Sequence, residues 1–238
     1  MVEISGRGEI VVTGTIVNTG AILVGSLIGL AAGHRIPERV KTIMMQVLGL
    51  STLVIGLQMA LSGHHIIATV GSLLLGAVTG ELLRIENGLE QIGHWLKKRT
   101  RSDSSTFVTG FITTSLLYCT GAMVVVGAIQ DGATGNASTL YIKAMLDGVA
   151  SIAFASTLGV GVLFSAASVF LVQGSITLFA SNLVFLQQQA ILDALTSTGG
   201  LLIIGIAINL LTIAYIRIGN LLPALCYAVL IAMIRLHH

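Results

Sequence analysis

The stretch GVASIAFASTLGVGVLFSAASVFLVQGSITLFASNLVFLQQQAIL, residues 148–192, contains no aspartate, glutamate, lysine or arginine. A helix needs about 20 apolar residues to cross the hydrocarbon core of a bilayer, so this uncharged run has room for two passes. Outward from it, further apolar runs lie at 10–33, 42–63, 66–83 and 104–130 on one side and at 194–216 and 218–234 on the other. The chain therefore reads as an all-α, polytopic transmembrane bundle of seven or eight segments.

Composition agrees. Of 238 residues 54% are hydrophobic and 9% charged, with mean hydropathy +0.94. A soluble domain carries about 25% charged residues, and a fold of this size could not cover its surface with so few. The formal charge of +2 suggests no nucleic acid. Cys119 and Cys226 sit in apolar runs without metal or redox spacing and read as small buried hydrophobes. The first nine residues carry both signs of charge and do not read as a secretory leader. The closing His237-His238 reads as tag remnant.

Lysine and arginine asymmetry sets orientation. Arg35, Arg39 and Lys41 follow the first segment, and Arg84, Lys97, Lys98, Arg99 and Arg101 follow the third. Two spans separate these loops, so 34–41 and 84–103 are expected in the cytoplasm and the N-terminus outside. The His64-His65 turn and a loop at 131–140 then fall outside. The stretch 165–182 decides the count. If it crosses, there are eight spans and Arg217 is cytoplasmic; if it re-enters, there are seven and Arg235 is inside. Gln173-Gly174-Ser175 is the expected helix break there, since glycine is flexible and the flanking polar groups can satisfy freed backbone. Eight spans fit the repeat pattern better.

That pattern consists of Thr19-Gly20, Thr120-Gly121 and Thr198-Gly199, each before an aliphatic stretch, and of two Gly-x-x-x-Pro turns ending at Pro37 and Pro223. It suggests one transmembrane domain over 1–238 with units 10–83, 104–182 and 194–236, successive units being inverted as in many transporters. Between the first two, Leu82, Ile85, Leu89, Ile92 and Leu96 recur on one helical face, and Trp95 with Lys97-Lys98-Arg99 suits the cytoplasmic headgroup region. Residues 183–195 read as a weaker interfacial helix on the other side.

The segment Gly14-Thr-Ile-Val-Asn18, the string His34-Arg-Ile-Pro-Glu-Arg39, Gly127-Ala-Ile-Gln-Asp-Gly132, Lys143 with Asp147-Gly148, Gly159-Val-Gly161, Gln173-Gly174 and Gly219-Asn-Leu-Leu-Pro223 together resemble the YqgA/YdfK-like family. The resemblance covers nearly the whole chain apart from its first 13 residues. The family groups uncharacterised bacterial inner-membrane proteins under a domain of unknown function. It implies a multi-pass inner-membrane fold and no activity.

Gly25, Gly29 and Gly33, and likewise Ser72, Gly76 and Gly80, recur every four residues, a spacing that lets transmembrane helices approach closely. Among polar residues at membrane depth, Asp147 stands out because ionisable groups there are costly and face the bundle interior. It shares a helical face with Lys143, Ser151, Ala155 and Gly159. One reading is a structural ion pair with Lys143 near the outer surface. The other is a carboxylate, responsive to cations or protons, that lines a cavity. Gln130 and Asp131 form the second candidate, as a polar end to the fourth segment or its loop cap. Asn18 and Gln173 are the uncharged polar groups best suited to a pathway; Gln46, Gln58, Asn182 and Asn209 read as interhelical bonds.

Motifs for a zincin, a nucleophile elbow or a P-loop are missing from the sequence, so no enzyme, cofactor or metal is expected. The expected partners are the lipid bilayer, a small solute or cation, and a second copy of the chain. Transport or channelling of a small solute or ion is the leading functional expectation, and a non-transporting scaffold or lipid sensor built on 82–101 is the alternative. A cavity beside Asp147 at mid-membrane favours the first, a solid glycine-packed bundle the second.

Overall fold

The computed structural model describes residues 12–63 and 65–236; the charged N-terminal stretch, His64 and His237-His238 lie outside the described residues. Among the described residues eleven helices follow one another: α1 (Thr13–Gly33), α2 (Glu38–Leu61), α3 (Ile66–Leu83), α4 (Ile85–Arg99), α5 (Phe107–Cys119), α6 (Ala122–Thr134), α7 (Ser138–Leu158), α8 (Gly161–Leu178), α9 (Ala180–Leu183), α10 (Gln189–Leu210) and α11 (Pro223–Leu236). Short 3₁₀ turns lie at Val184–Gln187 and Ile218–Leu221. There are no strands among the described residues.

Among the described residues six helical stretches are long and apolar enough to cross a membrane: α1, α2, α3, α8, α10 and Ile218–Leu236. The α5–α6 pair, bent by 62°, is a seventh if its two halves are one broken span and a re-entrant loop otherwise. The remaining long helix, α7, has 21 residues and lies along α1, but it carries Lys143 and Asp147. Most of the large side chains on α2 and α3 point outward, such as Ile43, Val54, Leu74 and Val78, each more than half exposed. In water such a face would aggregate; in lipid it needs no cover.

Contacts at the helix ends fix the threading. At one end Arg217 donates to Glu81 at the close of α3, and Gly161 at the start of α8 lies against Phe107 at the start of α5. At the other end Arg235 of α11 meets His65 before α3, while Thr177 near the close of α8 lies against Gly132 near the close of α6. Thus α8 runs from one end of the bundle to the other, and α7 runs the length of α1 beside it. Arg35, Arg39, Lys41, Arg84, Lys97, Lys98, Arg99, Arg101 and Arg217 all gather at the first end.

The helix break is not where Gln173-Gly174-Ser175 suggests. Helix α8 runs unbroken through all three, because Gln173 is fully buried and hydrogen-bonded by its side chain while the backbone keeps its helical ladder. The break falls at Thr120-Gly121, where Gly121 has φ 134° and ψ 159°, a conformation essentially reserved for glycine. Two more expectations need correction. Asp131 lies in the last turn of α6 rather than in a loop, and only residues 135–137 connect α6 to α7. Leu82 belongs to α3, since Arg84 in the left-handed region (φ 53°) turns the chain before α4 begins.

Helix packing follows the small residues. Along α1, a methyl group on Gly25 would strike the carbonyl of Gly148, on Gly29 that of Ile152, and on Gly33 that of Ser156, all on α7. Along α3, Gly76 lies against Ala224 and Gly80 against the carbonyl of Asn220. Such approach maximises dispersion contacts where no hydrophobic effect drives association.

Candidate functional site

The tight α1–α7 seam delivers Asn18 of α1 against Lys143 and Asp147 of α7, and α8 closes the third side with Gln173 and Thr177. All five are buried. Lys143 Nζ donates to Asp147 Oδ2 at 2.6 Å. Asn18 Nδ2 donates to the same oxygen at 3.1 Å and to Gln173 Oε1 at 3.0 Å. Gln173 Nε2 donates to Thr15 Oγ1 at 3.0 Å, the Thr15 and Thr177 hydroxyls are 3.1 Å apart, and Thr177 Oγ1 lies 3.0 Å from the Gln173 carbonyl.

Donor counting orients this chain. A hydroxyl has one proton, so Thr177 spends its own on the Gln173 carbonyl and Thr15 donates to Thr177. Both amide protons of Asn18 are likewise committed. Its Oδ1 has no partner among the described residues, nor do the hydroxyls of Thr19 and Ser26 on the same helix. Unpaired buried polar atoms are costly, and a spare oxygen such as Asn18 Oδ1, on the residue that bonds Asp147, is what a cation, a proton carrier or a water would use.

One turn beyond Asp147, Ser151 shares a 2.9 Å hydrogen bond with Tyr118. Tyr118 stands two residues before the Thr120-Gly121 break, so the bent helix reaches the polar seam. Its break also touches α10: a methyl group on Gly199 would lie 2.9 Å from the Thr120 side chain. Two of the three Thr-Gly pairs therefore meet.

Asp131 is not part of this chain. Fully buried, its Oδ2 accepts the backbone N–H of Gly14 at 3.0 Å, capping the first turn of α1 from a distance of 117 residues in sequence. A carboxylate there complements the positive end of the helix dipole. Gln130 accepts from the Thr139 hydroxyl at 2.8 Å and braces the α6–α7 turn. Thr15, Thr177 and Tyr118 escaped sequence reading, because threonines and a tyrosine in apolar runs carry no signal until the fold gathers them.

Asp147 and its partners are packed. A cavity of about 200 Å³ lies elsewhere, between α3, α10 and α11. No group of three or more His, Cys, Asp or Glu side chains suited to a metal ion occurs among the described residues.

Residues 13–233, and with them every helix that builds this site, match the family described as protein of unknown function (DUF554). The chain belongs to the DUF554 family. This DUF554 protein is 31% identical over 217 residues to the uncharacterized membrane protein YdfK of Bacillus subtilis (strain 168), covering 89% of this chain and 92% of that one. It is 27% identical over 222 residues to the uncharacterized protein YqgA of Escherichia coli (strain K12), covering 91% and 94%. No solved structure matches.

Proposed function

We propose that this DUF554 protein carries a small solute or an ion across the bacterial inner membrane, without enzymatic chemistry, using the polar seam between α1, α7 and α8. The supporting observation is the buried Lys143–Asp147–Asn18–Gln173 chain beside a helix broken at Thr120-Gly121. Broken helices and intramembrane carboxylates at one place are the usual construction of a transport site. The seam is closed in this conformation, so passage requires α1 and α7 to part or the α5–α6 elbow to swing. In this reading the nine cationic residues at one end face the cytoplasm, and the start of α1 faces outward.

Purified protein in proteoliposomes, screened against a panel of ions and small organic acids beside Asp147→Asn, tests the reading. Flux in wild type that the substitution removes supports it. Absence of electrogenic and electroneutral flux from folded wild type overturns it.

The packing around Asp147 favours a second reading, a scaffold or lipid sensor acting through α4. Ile92 and Trp95 on α4 are exposed, and Lys97, Lys98 and Arg99 follow them. Basic residues near an anionic surface contribute about 1 kcal/mol each. If neutralising those three leaves binding to anionic vesicles unchanged, this reading fails.

A further inference from the structure

The cavity between α3, α10 and α11 holds a set of side chains that the transport seam does not use. It opens at the Arg235 end of the bundle, and its walls exist because α10 and α11 place alanines there: Ala194, Ala228 and Ala232. A volume of about 200 Å³ is below the roughly 300–1,000 Å³ of sites for drug-sized ligands, which restricts an occupant to a few non-hydrogen atoms.

Its polar groups have a definite arrangement. Thr198 is fully buried in the lining, and its Oγ1 has no partner among the described residues. Beside it, the Ser197 and Thr69 hydroxyls bond to each other at 3.1 Å. Two opposite charges line the same cavity. Among the described residues Arg235 meets only the ring of His65, at 3.0 Å, while Asp193 accepts from the Gln189 amide at 2.7 Å. Among the described residues neither belongs to an ion pair; those formed are Lys41–Glu38, Lys143–Asp147 and Arg217–Glu81.

We infer that this cavity binds a small zwitterion of the amino-acid type. Its carboxylate sits on Arg235, its ammonium on Asp193, and its short side chain among the alanines, with the Thr198 hydroxyl as a further hydrogen-bond partner. A simple carboxylate leaves Asp193 without a counter-charge, and a simple amine leaves Arg235 so. Discrimination therefore comes from satisfying both at once. The inference does not depend on transport through the Asp147 seam, because binding is read at equilibrium.

The test uses the full chain in nanodiscs, with radiolabelled glycine, L-alanine and L-serine as probes and propionate and propylamine as competitors. We expect saturable binding of at least one amino acid. Arg235→Gln and Asp193→Asn should each weaken it at least tenfold, and Ala232→Leu should abolish it by filling the space. Propionate and propylamine should compete at least tenfold less well. Both charge substitutions lie at the open end, so folding survives them; Thr198→Val offers a further near-isosteric variant, expected to weaken binding several-fold. Absence of saturable binding by monodisperse wild type overturns the inference. So does binding indifferent to Arg235→Gln, Asp193→Asn and Ala232→Leu, or propionate that competes as well as the amino acids.

Discussion

Asp147 accepts from both Lys143 and Asn18 on one oxygen, so the two substitutions that remove its charge should differ sharply. Asp147→Ala leaves a buried ammonium and an amide without acceptors, and removing one partner of a buried pair costs about 3–5 kcal/mol. Asp147→Asn keeps an acceptor and costs less, while Lys143→Met with Asp147→Leu together should come closer to wild type than Asp147→Ala alone. Reversible unfolding in micelles measures all three. At Asp131 the carboxylate serves a helix terminus, so Asp131→Ala should cost about 0.5–2 kcal/mol, the range for a lost N-cap, and Asp131→Asn should recover most of it. The i, i+4 relation of Lys143 and Asp147 is a property of helical spacing and was legible in the chain. The bond from Asp131 to Gly14 was not, because nothing local to either residue encodes a partner 117 positions away.

Among the elements, the α5–α6 elbow and α8 make opposite predictions for a glycine. Gly121 needs its positive φ, and Gly121→Ala should destabilise by roughly 1–3 kcal/mol or straighten the elbow, which a spin-label pair across 115 and 126 would read as a longer distance. Gly174→Ala should be tolerated, since the new methyl group meets Thr15 at 3.7 Å, an ordinary contact. Helix α4 carries a pH dependence of its own. Glu86 accepts the Gly219 N–H and the Tyr215 hydroxyl, which Glu90 shares. Burial, helped by the neighbouring charge of Glu90, raises its pKa above the ordinary 4.5, against the opposing hydrogen bonds and Arg217. A raised acid favours the folded state in its protonated form. The stability it contributes is therefore complete below its ordinary value and lost as pH rises through the raised one. Hydrogen exchange at residues 215–222 should speed up across that rise, and Glu86→Gln should flatten the profile.

At the scale of the whole molecule, nine lysines and arginines at one end predict a single labelling pattern. Cysteines placed at 39, 99 and 217 should react with an impermeant thiol reagent only from the cytoplasmic side, and one at 235 only from the other. Reaction of 217 and 235 from the same side would refute a crossing by Ile218–Leu236. Composition, the uncharged run at 148–192, the basic clusters and the amphipathic period of 85–96 determined by themselves that this is a helical membrane bundle with an amphipathic helix, since each is a property of a local window and lipid imposes its demand on every window separately. Tertiary structure alone decided that the break falls at Gly121 and not Gly174, that Thr15 and Thr177 join the Asp147 seam, that Asp131 caps α1, and that the cavity lies between α3, α10 and α11. In a chain with 28 glycines many positions could bend, approach or open. Which ones do so depends on the backbone carbonyl, methyl group or hydroxyl that a distant helix brings opposite.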